Sequence, residues 1–117
     1  MANELSVGIQ VSLSKNGGGF AKSFSGQITQ TGDYQTTGVA NIGTTSEALP
    51  LGDVATVGWV YLKNLDTTNF VTAGADATNQ PIKLKAGEAC VLRWTGAAVH
   101  VKANTAACKV EYGIAED

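Results

Sequence analysis

The chain is short of charge. Of its 117 residues only 15% are Asp, Glu, Lys or Arg, and the net charge is −2. A soluble monomer usually carries more. Either part of the surface is covered by other chains, or it is the neutral Thr/Ser/Asn surface of many β proteins. The basic residues Lys15, Lys22, Lys63, Lys83, Lys85, Arg93, Lys102 and Lys109 are scattered. Counterion release at a phosphate backbone needs them clustered, so nucleic acid is not an expected partner. No apolar run reaches membrane-spanning length, and no membrane partner is expected. The opening Met-Ala-Asn-Glu-Leu lacks the positive and apolar segments of a signal peptide, which leads us to expect synthesis in a cytoplasm.

Reactive side chains are equally scarce. The one histidine, His100, cannot supply His-x-His zinc spacing, and alternation places it outward on a strand as a surface residue. The two cysteines, Cys90 and Cys108, both fall at apolar positions and read as free, buried thiols. If they lie on neighbouring strands and face each other, a disulfide still needs a suitable Cα separation. Gly17-Gly18-Gly19 is not followed by Lys-Ser/Thr or by a helical pattern, which excludes a phosphate loop. Asp33, Asp53, Asp66 and Asp76 lie in turns. They form no D-x-[DN]-x-[DN]-G calcium loop, and turn chemistry accounts for them. Asp66 and Glu88 would serve sugar hydrolysis only at a fixed separation, which the sequence does not set. No catalytic, cofactor-binding or metal-ligating residue is assigned, no cofactor is expected, and the chain is not expected to be an enzyme. Partner-binding residues are not identified at this level.

What the sequence does contain is period-two alternation. Leu5, Val7, Ile9, Val11 and Leu13 alternate with Ser6, Gly8, Gln10, Ser12 and Ser14, a long strand with one apolar face. Its other face is small and neutral and lacks the charges that blunt an exposed edge, so the strand is expected to lie against something. Asn16-Gly17 signals a hairpin, and the glycines after it suggest a mobile tip. Phe20, Phe24 and Ile28 fit both strand and helical spacing; Gly26 and the Thr-rich segment that follows favour strand. Pro50, between Leu49 and Leu51, marks an edge strand or bulge.

The stretch from Gly58 to Trp94 has the clearest strand–turn–strand grammar. Val60 and Leu62 share one face and Trp59 and Tyr61 the other, which predicts a strand covered on both sides. Asn64 to Asn69 supplies turn residues. Phe70 to Ala73 forms a short strand, Pro81 opens the next, and Ala89 to Trp94 returns with Arg93 on the solvent side. Further on, Val99 and Val101 point inward, as do Cys108, Val110 and Tyr112, and Glu116-Asp117 reads as an acidic tail. Strands about every ten residues, with no helical pattern, predict one all-β domain over 1–117, an antiparallel β-sandwich. Trp59, Tyr61 and Trp94 fit either the core or a sugar-stacking platform, the core being the usual place for in-strand aromatics.

Gly58-Trp59-Val60-Tyr61-Leu62-Lys63-Asn64-Leu65-Asp66, Pro81-Ile82-Lys83-Leu84-Lys85-Ala86-Gly87-Glu88, Val91-Leu92-Arg93-Trp94 and the ending Ala103 to Tyr112 resemble small virion structural proteins of tailed bacteriophages. The resemblance covers the chain from Gly58 on. It implies a jelly-roll-like β-sandwich carried on the particle, and above all a capsid decoration (cement) protein on the head shell. Tail or head–tail roles are the nearest alternatives. The expected partner is the lattice of the major capsid protein. A homo-oligomer is expected too, a trimer by analogy with the shell's three-fold positions. The competing class is a carbohydrate-binding attachment module, and a small hydrolase comes third.

Overall fold

The computed structural model describes residues 4–117. The first three, read above for the lack of a leader and included in the expected domain, lie outside the described residues. The strands are β1 (Leu5–Lys15), β2 (Gly18–Ile28), β3 (Gln35–Ile42), β4 (Glu47–Ala48), β5 (Val57–Asn64), β6 (Val71–Gly74), β7 (Ile82–Leu84), β8 (Ala89–Arg93), β9 (His100–Ala103) and β10 (Cys108–Glu116). All pairings are antiparallel. The protein is all-β, as the alternation and turn spacing required.

The chain forms two compact units, divided after Thr31. In the first, β1 and β2 pair without a break from Leu5↔Ile28 to Lys15↔Gly18. Asn16 and Gly17 join them with φ of 54° and 79°. Positive φ at both central residues is the type I′ turn, whose twist matches that of the strands it connects. The tip is therefore a tight two-residue turn, not the loose one the glycine run suggested: Gly18 and Gly19 already belong to β2. Continuous pairing also settles Phe20, Phe24 and Ile28 as strand.

The second unit, Gly32–Asp117, is the sandwich. One sheet has the order β3-β10-β5-β8 and the other β4-β9-β6-β7. Counted from β3 as the first of eight strands, these orders are 1-8-3-6 and 2-7-4-5. That is the two-sheet interleaving of a jelly roll. Strands alternate in sequence between the two sheets except at β6–β7, so each sheet's inner face is assembled from residues far apart in the chain. Pro50 follows β4, which is an edge strand, where a missing N–H does least harm.

The core lies between the sheets. Ile42, Val60, Leu62, Cys108, Val110 and Ile114 come from one, and Val71, Ala73, Leu84, Val101 and Ala103 from the other. Leu49, Val54, Val57, Trp94, Val99 and Tyr112 complete it, and Trp94 Nε1 donates to the Ala98 carbonyl at 3.1 Å. Among the described residues Asn64 is the one buried polar residue. Its Nδ2 donates to Asn69 O at 2.9 Å and to Leu84 O at 3.1 Å, and its Oδ1 accepts from the Asp66 N–H at 3.0 Å. Leu84 belongs to the opposite sheet, so this amide ties the two sheets together at one end. Turn chemistry alone suggested only a strand stop there.

Two further expectations change. β5 is not covered on both sides: Val60 and Leu62 are fully buried, but Tyr61 is 37% exposed and Trp59 only half-buried. No third layer forms among the described residues of the sandwich, so the second apolar face stays on the outside. The acidic tail is ordered. Glu116 belongs to β10, and its carboxylate accepts from the N–H groups of Ala55 (2.8 Å) and Asp33 (3.1 Å). Asp117 pairs with Arg93, and its N–H donates to Thr56 O at 2.9 Å.

Candidate functional site

Most of the reactive side chains singled out in the sequence are occupied locally; the structure brings His100 near Asp76 and Cys108 near Asp66, without a hydrogen bond between them. Asp66 accepts from the N–H groups of Asn69 (2.7 Å) and Thr68 (3.0 Å), and these donors hold its carboxyl below the usual range. Asp76 accepts from the Asn79 N–H at 2.8 Å, from the Asn79 side-chain amide at 3.1 Å and from the Thr78 N–H at 2.8 Å, and is lowered in the same way. Glu88 accepts from the Lys85 N–H at 2.8 Å within its own turn. Asp33 and Asp53 are exposed. Among the described residues, no group of three or more His, Cys, Asp and Glu is close enough to hold a metal ion.

His100 opens β9 with outward parity, since Val101 and Ala103 are the buried residues there. It is half-buried rather than a plain surface residue, and its Nδ1 is buried with no hydrogen-bond partner. Cys90 and Cys108 are both free. They do not sit on neighbouring strands: β5 separates β8 from β10, and Leu62 stands between Cys90 and Tyr112 in register. Cys108 is fully buried and Cys90 partly so, and burial pushes both thiols up.

The aromatics divide. Trp94 is core; Trp59 and Tyr61 lie on the outer face of the β3-β10-β5-β8 sheet. Register places Thr37, Gly113, Tyr61 and Val91 in one row across that face, and Gln35, Ala115, Trp59 and Arg93 in the next. Val39, in the row beyond Thr37, is 55% exposed. With no side chain, Gly113 leaves a trough beside Tyr61: a Cβ there would lie 3.9 Å from the Tyr61 Cβ. Charge keeps to the periphery. The Arg93 guanidinium lies 5.9 Å from the Trp59 ring centroid, a cation–π contact, and is paired with Asp117; Glu111, Lys63 and Lys109 border the other side. Tyr61 Oη reaches Glu111 Oε1 at 3.5 Å, and partial burial followed by the Glu111 charge raises its phenol. An apolar centre within a polar rim has the anatomy of a recognition surface. Sequence reading named Trp59 and Tyr61 but missed Val39 and Gly113, which reach this face only through strand order.

A second feature is an apolar cleft of about 370 Å³ at the open edge of the sandwich, lined by Pro81, Ile82, Leu92 and Trp94. It lies where edge strands β7 and β8 leave the core uncovered, and Arg93 also borders it.

No family model, no curated protein and no solved structure matches this chain.

Proposed function

We propose that this protein is a structural component of a tailed-bacteriophage particle, a decoration (cement) protein that binds the outer surface of the head shell. It would be made in the host cytoplasm and carried on the virion. The observation that carries this reading is the outer sheet face: Tyr61, Trp59 and Val91 exposed or half-exposed around Gly113 on a jelly-roll scaffold, with Val39 exposed in the next row beside Glu111 and Lys63 and Arg93 at the other end. A cement protein works by binding the assembled lattice better than the free subunits, which stabilises assembly by mass action. Many copies on a symmetric shell add avidity to modest single contacts. Such a role asks for shape, a neutral adhesive surface and no catalysis.

The test is add-back. Purified protein should bind particles stripped of it and raise their resistance to heat or chelator, and Tyr61→Glu should bind at least tenfold more weakly. Stripped particles that neither bind the protein nor lose stability without it would refute the reading.

One observation favours a second reading. Trp59 and Tyr61 are adjacent on one sheet face, and Tyr61 is accessible, which suits sugar stacking in an attachment module. Saturable quenching of tryptophan emission by host-surface glycans would support it.

A further inference from the structure

The hairpin has a surface of its own. Directly opposed residues of an antiparallel pair share a face, so Ile9 with Phe24, Val11 with Lys22, and Leu13 with Phe20 line one side. Ile9 is 39% exposed, Val11 48%, Leu13 52%, Phe20 49% and Phe24 51%. The Phe24 ring folds over Gly26, where a Cβ would lie 2.9 Å from its tip, so the apolar surface continues across that glycine. The opposite side carries Ser6, Gly8, Gln10, Ser12 and Ser14 against Gln27, Ser25, Ser23, Ala21 and Gly19, all small or neutral.

Such a ribbon is incomplete alone. Its unit has no third strand and no second layer among the described residues. An isolated two-stranded ribbon is marginal in water at best. This one is about 37 Å long at ~3.4 Å per residue. Both its edges lack a strand neighbour, and neither strand carries Pro or more than one or two charges to discourage pairing.

We infer that the apolar face of this hairpin is covered by the same face of another copy of this chain. Area supports a copy as the occupant. Five large apolar side chains near half exposure present on the order of 500 Å². Two such faces together bury roughly 1,000 Å², the lower bound of a specific interface, before any backbone or polar side chain is counted. The two faces match in length and can pack as two layers ~10 Å apart. Charge agrees. From Leu5 to Ile28 the only charged residues are Lys15 and Lys22, so the ribbon carries no opposed charge pattern that would select a different partner. On the apolar face only Lys22 is charged; its stem adds apolar surface while the ammonium reaches the rim. This inference concerns a different surface and a different partner from the lattice-binding reading, and stands or falls without it.

The experiment is the solution mass of the full chain by light scattering, as a function of concentration. The wild type is expected as a complex of two or more chains. Phe24→Asp, central on the apolar face, is expected as a monomer whose tryptophan emission, reporting only the sandwich, is unchanged. Ser12→Asp, on the opposite face, is expected to keep the wild-type mass. If Phe24→Asp fails to fold, the milder Leu13→Ser serves, with the dissociation constant expected to rise tenfold or more. A monomeric wild type overturns the inference, whether the face is then covered by this chain's own sandwich or by a foreign protein. So does a complex that survives Phe24→Asp or Leu13→Ser intact, or one that Ser12→Asp disrupts equally.

Discussion

Replacing Asn64 tests the architecture at its most demanding point. The residue is fully buried at the end of β5. Leucine has a similar volume, so Asn64→Leu leaves little cavity. It does leave Leu84 O, Asn69 O and the Asp66 N–H without their partner. A buried group deprived of its hydrogen bond costs about 1–3 kcal/mol. Only the Leu84 bond is fully buried, and water can reach part of the loop end, so the full triple penalty is not expected. A loss of about 3–5 kcal/mol follows, a large share of the 5–15 kcal/mol typical of a domain. For a unit of this size it lowers Tm by roughly 15–30 °C. Tryptophan-monitored denaturation of the two proteins measures it, with an unchanged denaturant slope showing that the unfolding unit is the same. Asn64→Asp adds a pH signature. The introduced carboxyl faces two carbonyl oxygens that favour its protonated form, so its pKa rises on folding. The folded state then binds more protons than the unfolded one between ~3.9 and the raised value. Stability relative to the wild type therefore falls as pH rises through that window, and is flat above it. A loss under 1 kcal/mol for Asn64→Leu, or a variant/wild-type difference independent of pH for Asn64→Asp, would refute the view that this amide joins the sheets.

Three further outcomes are expected. Leu62→Asp places an unpaired carboxylate at a fully buried position and should abolish folding; Lys83→Asp loses only a cation–π contact with Phe70 (4.4 Å) and should cost no more than about 1 kcal/mol. A soluble, cooperatively folding Leu62→Asp protein would show the facing of β5 to be wrong. Both thiols should label slowly in the native protein and fast in denaturant without reductant, Cys90 ahead of the more buried Cys108; rapid native labelling of Cys108 would contradict the packing. Backbone N–H donors hold Asp66, Asp76 and Glu116 below the usual carboxylate range, so their stabilisation is complete above that range and lost as pH falls through the lowered values. Denaturation midpoints should drop below about pH 4, and Glu116→Gln should flatten part of that limb; an acid limb identical to the wild type would remove Glu116 from the account.

The fold was legible where it is local. Period two gave Val99 and Val101, and Cys108, Val110 and Tyr112, as inward residues and placed Val60 and Leu62 on one face of β5; all are buried. What alternation cannot supply is which strand lies beside which. Two cysteines on apolar positions read alike whether adjacent or separated by β5. Two apolar faces on β5 read as a covered strand, because a sequence does not reveal whether a third layer exists to cover Trp59 and Tyr61. Asn64 read as turn chemistry because its partner Leu84 lies in the other sheet, and Glu116-Asp117 read as a tail because Ala55, Thr56 and Arg93 are distant in sequence. The candidate face was half legible for the same reason: its aromatics are two residues apart on one strand, while Val39 and Gly113 arrive from β3 and β10.

The most direct test of the proposed role is a cryo-electron reconstruction of the particle that carries this protein. The account predicts density matching the eight-stranded sandwich on the outer surface of the head shell, bridging joints between coat subunits, with Val39 and Tyr61 toward the shell. Density confined to the tail, or a particle whose head shell carries no copy of the sandwich, would contradict it.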